Sequence, residues 1–159
     1  MNRKQFISHV EATQQAFRRF LVAICCGDTH LADDIAQESL IKAYLSCDCL
    51  ADAEKFKSWL YRIGYNTFIN YKRTMRQTVD EGQANGIAAS DAADNAFRYQ
   101  ELYAALKLLP EKERIAILLF YIENYSVKEI ADIVASKQDA VRQHLFRGRM
   151  HLRGLLTKD

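Results

Sequence analysis

The sequence predicts an all-α protein made of two small helical domains joined by a flexible linker. Three observations predict it. Apolar residues recur at spacings of three and four along almost the whole chain, and no stretch alternates as a half-buried strand would. Glycine (6 residues) and proline (1 residue) are scarce among the 159 residues, so the turn chemistry of a sheet protein is missing. The helical periodicity is interrupted once, from Gln77 to Asn95, by a run of small and polar residues.

The first predicted helix carries Phe6, Val10, Phe17, Leu21 and Ile24. The second carries Leu31, Ile35, Leu40, Ile41 and Leu45 and is closed by a turn over 47–51. A third, long helix carries Phe56, Trp59, Leu60, Ile63, Thr67, Phe68 and Tyr71. The segment QTVDEGQANGIAASDAADN follows, with only two large aliphatic residues. It buries too little apolar area to offset an ordering cost of roughly 1–2 kcal/mol per residue, and it reads as a linker. The domains are therefore expected at residues 1–76 and 96–159, with the linker at 77–95.

Periodicity resumes from Ala96 with Phe97, Leu102, Leu106 and Leu109. Pro110 then opens a helix ending near Asn124, because its missing N–H and fixed φ suit a first turn. Ser126 with Glu129, and Ser136 with Asp139, have the spacing of capping boxes. A short capped helix, a tight turn and a longer basic helix give the outline of a helix-turn-helix.

Charge is segregated. The net charge is only +2, yet from Asp28 to Glu38 the charged residues are Asp28, Asp33, Asp34 and Glu38, with no Lys or Arg. From Lys55 to Arg76 they are Lys55, Lys57, Arg62, Lys72, Arg73 and Arg76, with no acid. An acidic patch followed by a basic one implies two different partners. No apolar run reaches the length of a membrane span, and the first residues lack the apolar core of a signal peptide. A cytoplasmic protein is expected, with Cys25, Cys26, Cys47 and Cys49 as reduced thiols. Neither cysteine pair has the spacer of a zinc knuckle, so no metal site and no cofactor are expected.

On the last helix Val141, Leu145, Leu152 and Leu156 (or Leu155) fall on one side, where they can pack against Ile130 and Val134. Arg142, Phe146, Arg149 and Arg153 line a second side, with Gln143, Arg147 and Met150 alongside. An apolar back and a basic front suit the DNA major groove. Taken alone, the same charges also read as a solvated helix end that complements the helix dipole.

Three stretches in order resemble the extracytoplasmic-function (ECF) group of bacterial sigma factors. ADDIAQESLIKAY resembles that family's polymerase-binding helix, KFKSWLYRIGYNTFINYKR its promoter-melting helix, and the stretch from Leu108 to Leu156 its helix-turn-helix domain. The resemblance implies a region 2-like domain, a region 4-like domain and a binding function without catalysis. It implies that Asp33, Asp34, Gln37, Glu38 and Ile41 contact core RNA polymerase. It implies that Trp59, Arg62, Asn66, Asn70, Lys72 and Arg73 recognise and melt the −10 element of promoter DNA, with Asn66 capturing a flipped base. Trp59 and Tyr61 offer rings on which bases stack, although Trp59 also falls in register with the core residues Phe56 and Ile63. It implies that Lys137, Arg142, Gln143, Phe146, Arg147 and Arg149 contact the −35 element, Arg149 through the backbone. A cognate anti-sigma factor and a free monomer are implied as well.

The chain departs from the family pattern at Leu50 and Ala51, where relatives place an aromatic and an arginine, and at Phe120 and Ala140, each of which removes an expected phosphate contact. The competing reading is a stand-alone helix-turn-helix regulator with an N-terminal interaction domain, which would be a dimer on a palindromic site. A nuclease using Asp33, Asp34 and Glu38 is disfavoured, because neighbours 33 and 34 diverge on a helix surface.

Overall fold

A computed structural model describes residues 1–78 and 93–156. Most of the linker expected at 77–95 lies outside the described residues, as do the side chains of residues 77, 78 and 93–99, Phe97 among them. The described helices are α1 (Arg3–Ile24), α2 (Thr29–Ser46), α3 (Phe56–Thr78), α4 (Ala93–Leu108), α5 (Glu111–Ile117), α6 (Val127–Val134) and α7 (Gln138–Leu156). Helix thus reaches into both edges of the expected linker, to Thr78 and from Ala93.

In the first half, α2 packs against both α1 and α3. The α2 core face is made of small residues, Ala32, Ser39 and Ala43 around Ile35, which lets the helices approach closely. Ser39 is silenced by donating its Oγ–H to the Ile35 carbonyl at 2.6 Å. Ile41 and Leu45, part of the expected apolar stripe, instead stand 60% and 72% exposed. On α1, Phe17 and Phe20 converge on Tyr61 of α3, with ring centroids 5.4 Å and 4.9 Å away. Gly64 makes this approach possible, since a Cβ there would sit 2.6 Å from the Phe17 ring.

In the second half, Pro110 precedes α5 as its cap residue, and its carbonyl accepts from the Arg114 amide at 3.0 Å. The helix does not run on as α to Asn124. It widens into a π-helical turn over Leu118–Ile122 and stops at Asn124, whose φ of +61° ends it. The Ser126–Glu129 capping box is present: Ser126 Oγ accepts from the Glu129 amide at 3.1 Å, and Glu129 Oε1 accepts from the Ser126 amide at 3.0 Å. Ala135 turns the chain in the left-handed region at φ +53°.

The second expected box differs. Lys137 supplies the first helical carbonyl of α7, so Ser136 lies one residue outside the cap. Asp139 instead pairs with Arg142 at 2.8 Å. Val141, Leu145 and Gly148 form the buried face of α7, and Leu155 rather than Leu156 continues it as a half-buried residue.

The two halves pack together. α6 lies against α3, and the π-helical turn and α5 lie against α1. At the junction the Tyr61 and Tyr125 rings meet edge to face at 5.6 Å, and Lys57 Nζ lies 3.7 Å from Glu123 Oε2. Buried residues of both halves consequently belong to one continuous cluster.

Candidate nucleic-acid and protein interfaces

Three faces carry the residues of interest. On α2, Asp34, Gln37, Glu38 and Ile41 are all exposed and share one helical side at spacings of three and four. Glu38 is braced by Lys42 at 3.6 Å. Asp33 lies off this side. Its carboxylate is held by Arg18 of α1 at 2.8 Å and 3.4 Å, and that hydrogen bond raises the Arg18 pKa against the lowering effect of burial. Asp33 therefore ties α1 to α2. Beside the acidic residues Ile41 and Leu45 form an apolar spot rimmed by charge, the composition of a small protein-docking surface.

On α3, Arg62, Asn66, Asn70 and Arg73 are exposed along one ridge. Arg73 donates to Asn70 Oδ1 at 3.0 Å, which orients the two groups together. Trp59 is half-buried and packs at the edge of Phe56, with centroids 5.9 Å apart. Lys72 stands over the Phe68 ring at 5.6 Å and lines a cleft towards α4 and α5, off the ridge. Tyr61 corrects an expectation: it is fully buried beneath α6 and the α1 aromatics and offers no free ring to a base. Burial, reinforced by Glu123, pushes its hydroxyl pKa well up, and Tyr125 is raised for the same first cause.

On α7, Lys137, just ahead of the helix, and Arg142, Gln143, Phe146, Arg147 and Arg149 are all exposed while the apolar back faces α5 and α6. Phe146 is 59% exposed, an apolar group held out among cations. Arg142 is oriented by Asp139 at 2.8 Å and Gln138 at 3.4 Å, and Arg149 donates to the Tyr121 hydroxyl at 3.1 Å. His144 sits half-buried behind this face, where burial and then Lys112 lower its pKa. Such a face can offer guanidinium forks to base edges or phosphates.

Lys57 and Glu123 escaped the sequence reading. Lys57 Nζ lies 5.7 Å and 5.8 Å from the Tyr61 and Tyr125 ring centroids while facing Glu123. The sequence signal was a lone acid, Glu123, just after an otherwise apolar stretch (115–122), and only the π-helical turn aims it at α3. Among the described residues no cluster of His, Cys, Asp or Glu could hold a metal ion. Among them, too, no helix is long and apolar enough to cross a membrane.

Comparison with known proteins agrees with this layout. The family described as Sigma-70 region 2 matches residues 9–78, and the family described as Sigma-70, region 4 matches residues 99–152. The chain is 32% identical over 142 residues to the ECF RNA polymerase sigma factor SigW of Bacillus subtilis, covering 80% of this chain and 76% of that one. It is 34% identical over 131 residues to the ECF RNA polymerase sigma-E factor of Salmonella typhimurium, covering 73% and 69%. Its fold matches the sigma factor RpoE of Bartonella quintana, solved with the anti-sigma factor NepR, at a TM-score of 0.86 and 25% identity over 98% of this chain and 99% of that one. It also matches CnrH, solved with the cytosolic domain of CnrY, at a TM-score of 0.73 and 23% identity over 99% of this chain and 91% of that one. Two sigma-70 regions in order, over a chain this similar to ECF factors, place it in one family: it belongs to the ECF group of RNA polymerase sigma factors.

Proposed function

We propose that the α2 face grips core RNA polymerase while the ridges of α3 and α7 contact the two promoter elements. The observation that carries the assignment is the exposed acidic-apolar spot of Asp34, Glu38 and Ile41, which a self-contained DNA-binding regulator does not need. On this reading Asn66 receives a base from the opened strand, since an amide can both donate to and accept from a Watson–Crick edge. Arg62 and Arg73 flank it as phosphate contacts, and Trp59 supports the helix from its half-buried position. Residues 1–76 act as the region 2-like unit, 96–159 as the region 4-like unit, and the segment between them makes the second DNA contact intramolecular.

A cognate anti-sigma factor is proposed, since the similar sigma factor RpoE was solved with the anti-sigma factor NepR. The free chain is proposed to be a cytoplasmic monomer that performs no catalysis. Capture of core polymerase, lost on Asp34→Lys plus Glu38→Lys, tests the assignment; undiminished capture overturns it. Asn66→Ala should impair strand opening, read as permanganate reactivity, and leave upstream-element binding intact.

A further inference from the structure

We propose that the cleft between the two halves is a binding site for a small phosphate-bearing anion, held by Lys72, Lys107 and the buried Arg114. The cleft has a volume of about 450 Å³, within the range of small-ligand sites. Its walls come from the α1–α2 turn and α3 on one side, and from α4 and α5 on the other.

Arg114 is the central observation. It is 5% exposed, its Nη1 donates to the Leu106 carbonyl at 3.3 Å, and its Nε has no hydrogen-bond partner. A buried guanidinium with an open donor is costly unless an acceptor arrives. The carboxylates lining the cleft are committed elsewhere. Asp28 accepts from the Leu31 amide at 3.1 Å as the α2 cap, and Glu111 pairs with Arg76 at 3.5 Å. Three cations therefore face two engaged acids. Their field is felt within the cleft at Cys26, where Arg114, Lys72 and Lys107 oppose the upward push of burial on its thiol and Glu111 alone among the charges adds to it. A concave surface with surplus cations and a forked donor suits an oxyanion, and phosphate groups match that fork. Because both halves supply ligating groups, the anion binds their packed arrangement and stabilises it by mass action.

Isothermal titration of the full chain with pyrophosphate, against sodium chloride of matched ionic strength, tests this. The expected result is saturable one-to-one binding and a raised thermal midpoint. Lys107→Glu, an exposed change, should weaken binding at least about tenfold while leaving the ligand-free midpoint within about 2 °C. Arg114→Gln should abolish binding, with Lys107→Glu deciding alone if that variant does not fold. No saturable heat at millimolar pyrophosphate, or equal affinity in Lys107→Glu, overturns the proposal. So does displacement of pyrophosphate by promoter duplex whose own binding falls equally in Lys107→Glu, which would give the cleft to the DNA backbone.

Discussion

Glu123 and Lys57 meet across the junction of the two halves, 3.7 Å apart, with the carboxylate side chain 5% exposed and the ammonium side chain 42% exposed. The contact lays an anion from the second half onto the basic helix α3. Lys57 stands on the Tyr61 side of α3, so the exposed ridge of Arg62, Asn66, Asn70 and Arg73 stays open.

The pair's unequal burial sets the first prediction. Lys57→Met leaves a carboxylate buried without its cation and should cost about 3 kcal/mol. Glu123→Gln leaves a lysine that can turn to water, and should cost no more than about 1 kcal/mol. Urea denaturation of both single variants and the double variant measures this. Single-variant costs that simply add in the double variant would show that the contact carries no coupling.

Gly148 is the second. A Cβ there would lie 2.8 Å from Ile117 Cγ1, and Ile117 belongs to the packed core. Gly148→Ala should lose about 1–3 kcal/mol by overpacking, despite alanine's better helix propensity. Ile117→Ala removes that Cγ1, so the double variant should lose less than the sum of the two single losses. A stabilised Gly148→Ala variant would mean that α7 shifts freely on α5.

The third concerns alkaline pH. Burial raises the Cys25 thiol from 9.0 to about 12, and it raises Cys26, Tyr61, Tyr65 and Tyr125 as well. Each group keeps its proton in the folded chain after the unfolded chain has lost it. The native state then binds more protons, so stability falls with rising pH, by about 1.4 kcal/mol per unit for each such group. Chemical denaturation should show a plateau at neutral pH and a decline beginning near pH 9. Cys25→Ala should shallow that decline between pH 9 and 12 relative to the parent chain. An unchanged slope would remove Cys25 from the set.

Arg142 and Asp139 give the fourth. Arg142→Ala should cost about 1–3 kcal/mol at one promoter position; an equal loss on every sequence would make Arg142 a phosphate contact. Asp139→Asn frees the Arg142 guanidinium from its 2.8 Å partner. It should strengthen binding to unrelated duplex, steepen the salt dependence by about one ion, and reduce discrimination at the Arg142 position. Fluorescence anisotropy at several salt concentrations separates these effects.

How far the sequence could be read depends on what each residue's role requires. The helices, the Ser126–Glu129 box and the exposed front of α7 follow from local periodicity and spacing, and the structure reproduces them. The burial of Tyr61 is not legible in the sequence, because one helix's pattern cannot say that a second helix will cover its other side. Leu60 and Tyr61 are adjacent and both fully buried, which needs partners on two sides of α3. Asp139 was assigned to capping because α7 was expected to start one residue earlier, and a single residue of shift turns its carboxylate towards Arg142. Asp33 looked equivalent to Asp34, but only the packing of α1 supplies the Arg18 that claims it. Arg114 is not legible as a site residue, since its cleft is assembled from three segments spread over residues 24–114.

The wide turn at Leu118–Ile122 has a consequence for how such chains can change. It holds one residue more than an α-helical path needs, and each residue of helix corresponds to about 100° of rotation. Deleting one residue there would narrow the turn to an ordinary α path and disturb Leu118 and Leu119, which are buried in the shared core. One codon lost from this stretch would thus be felt first in the packed interior, which makes the turn's length a property that mutation cannot trim at no cost.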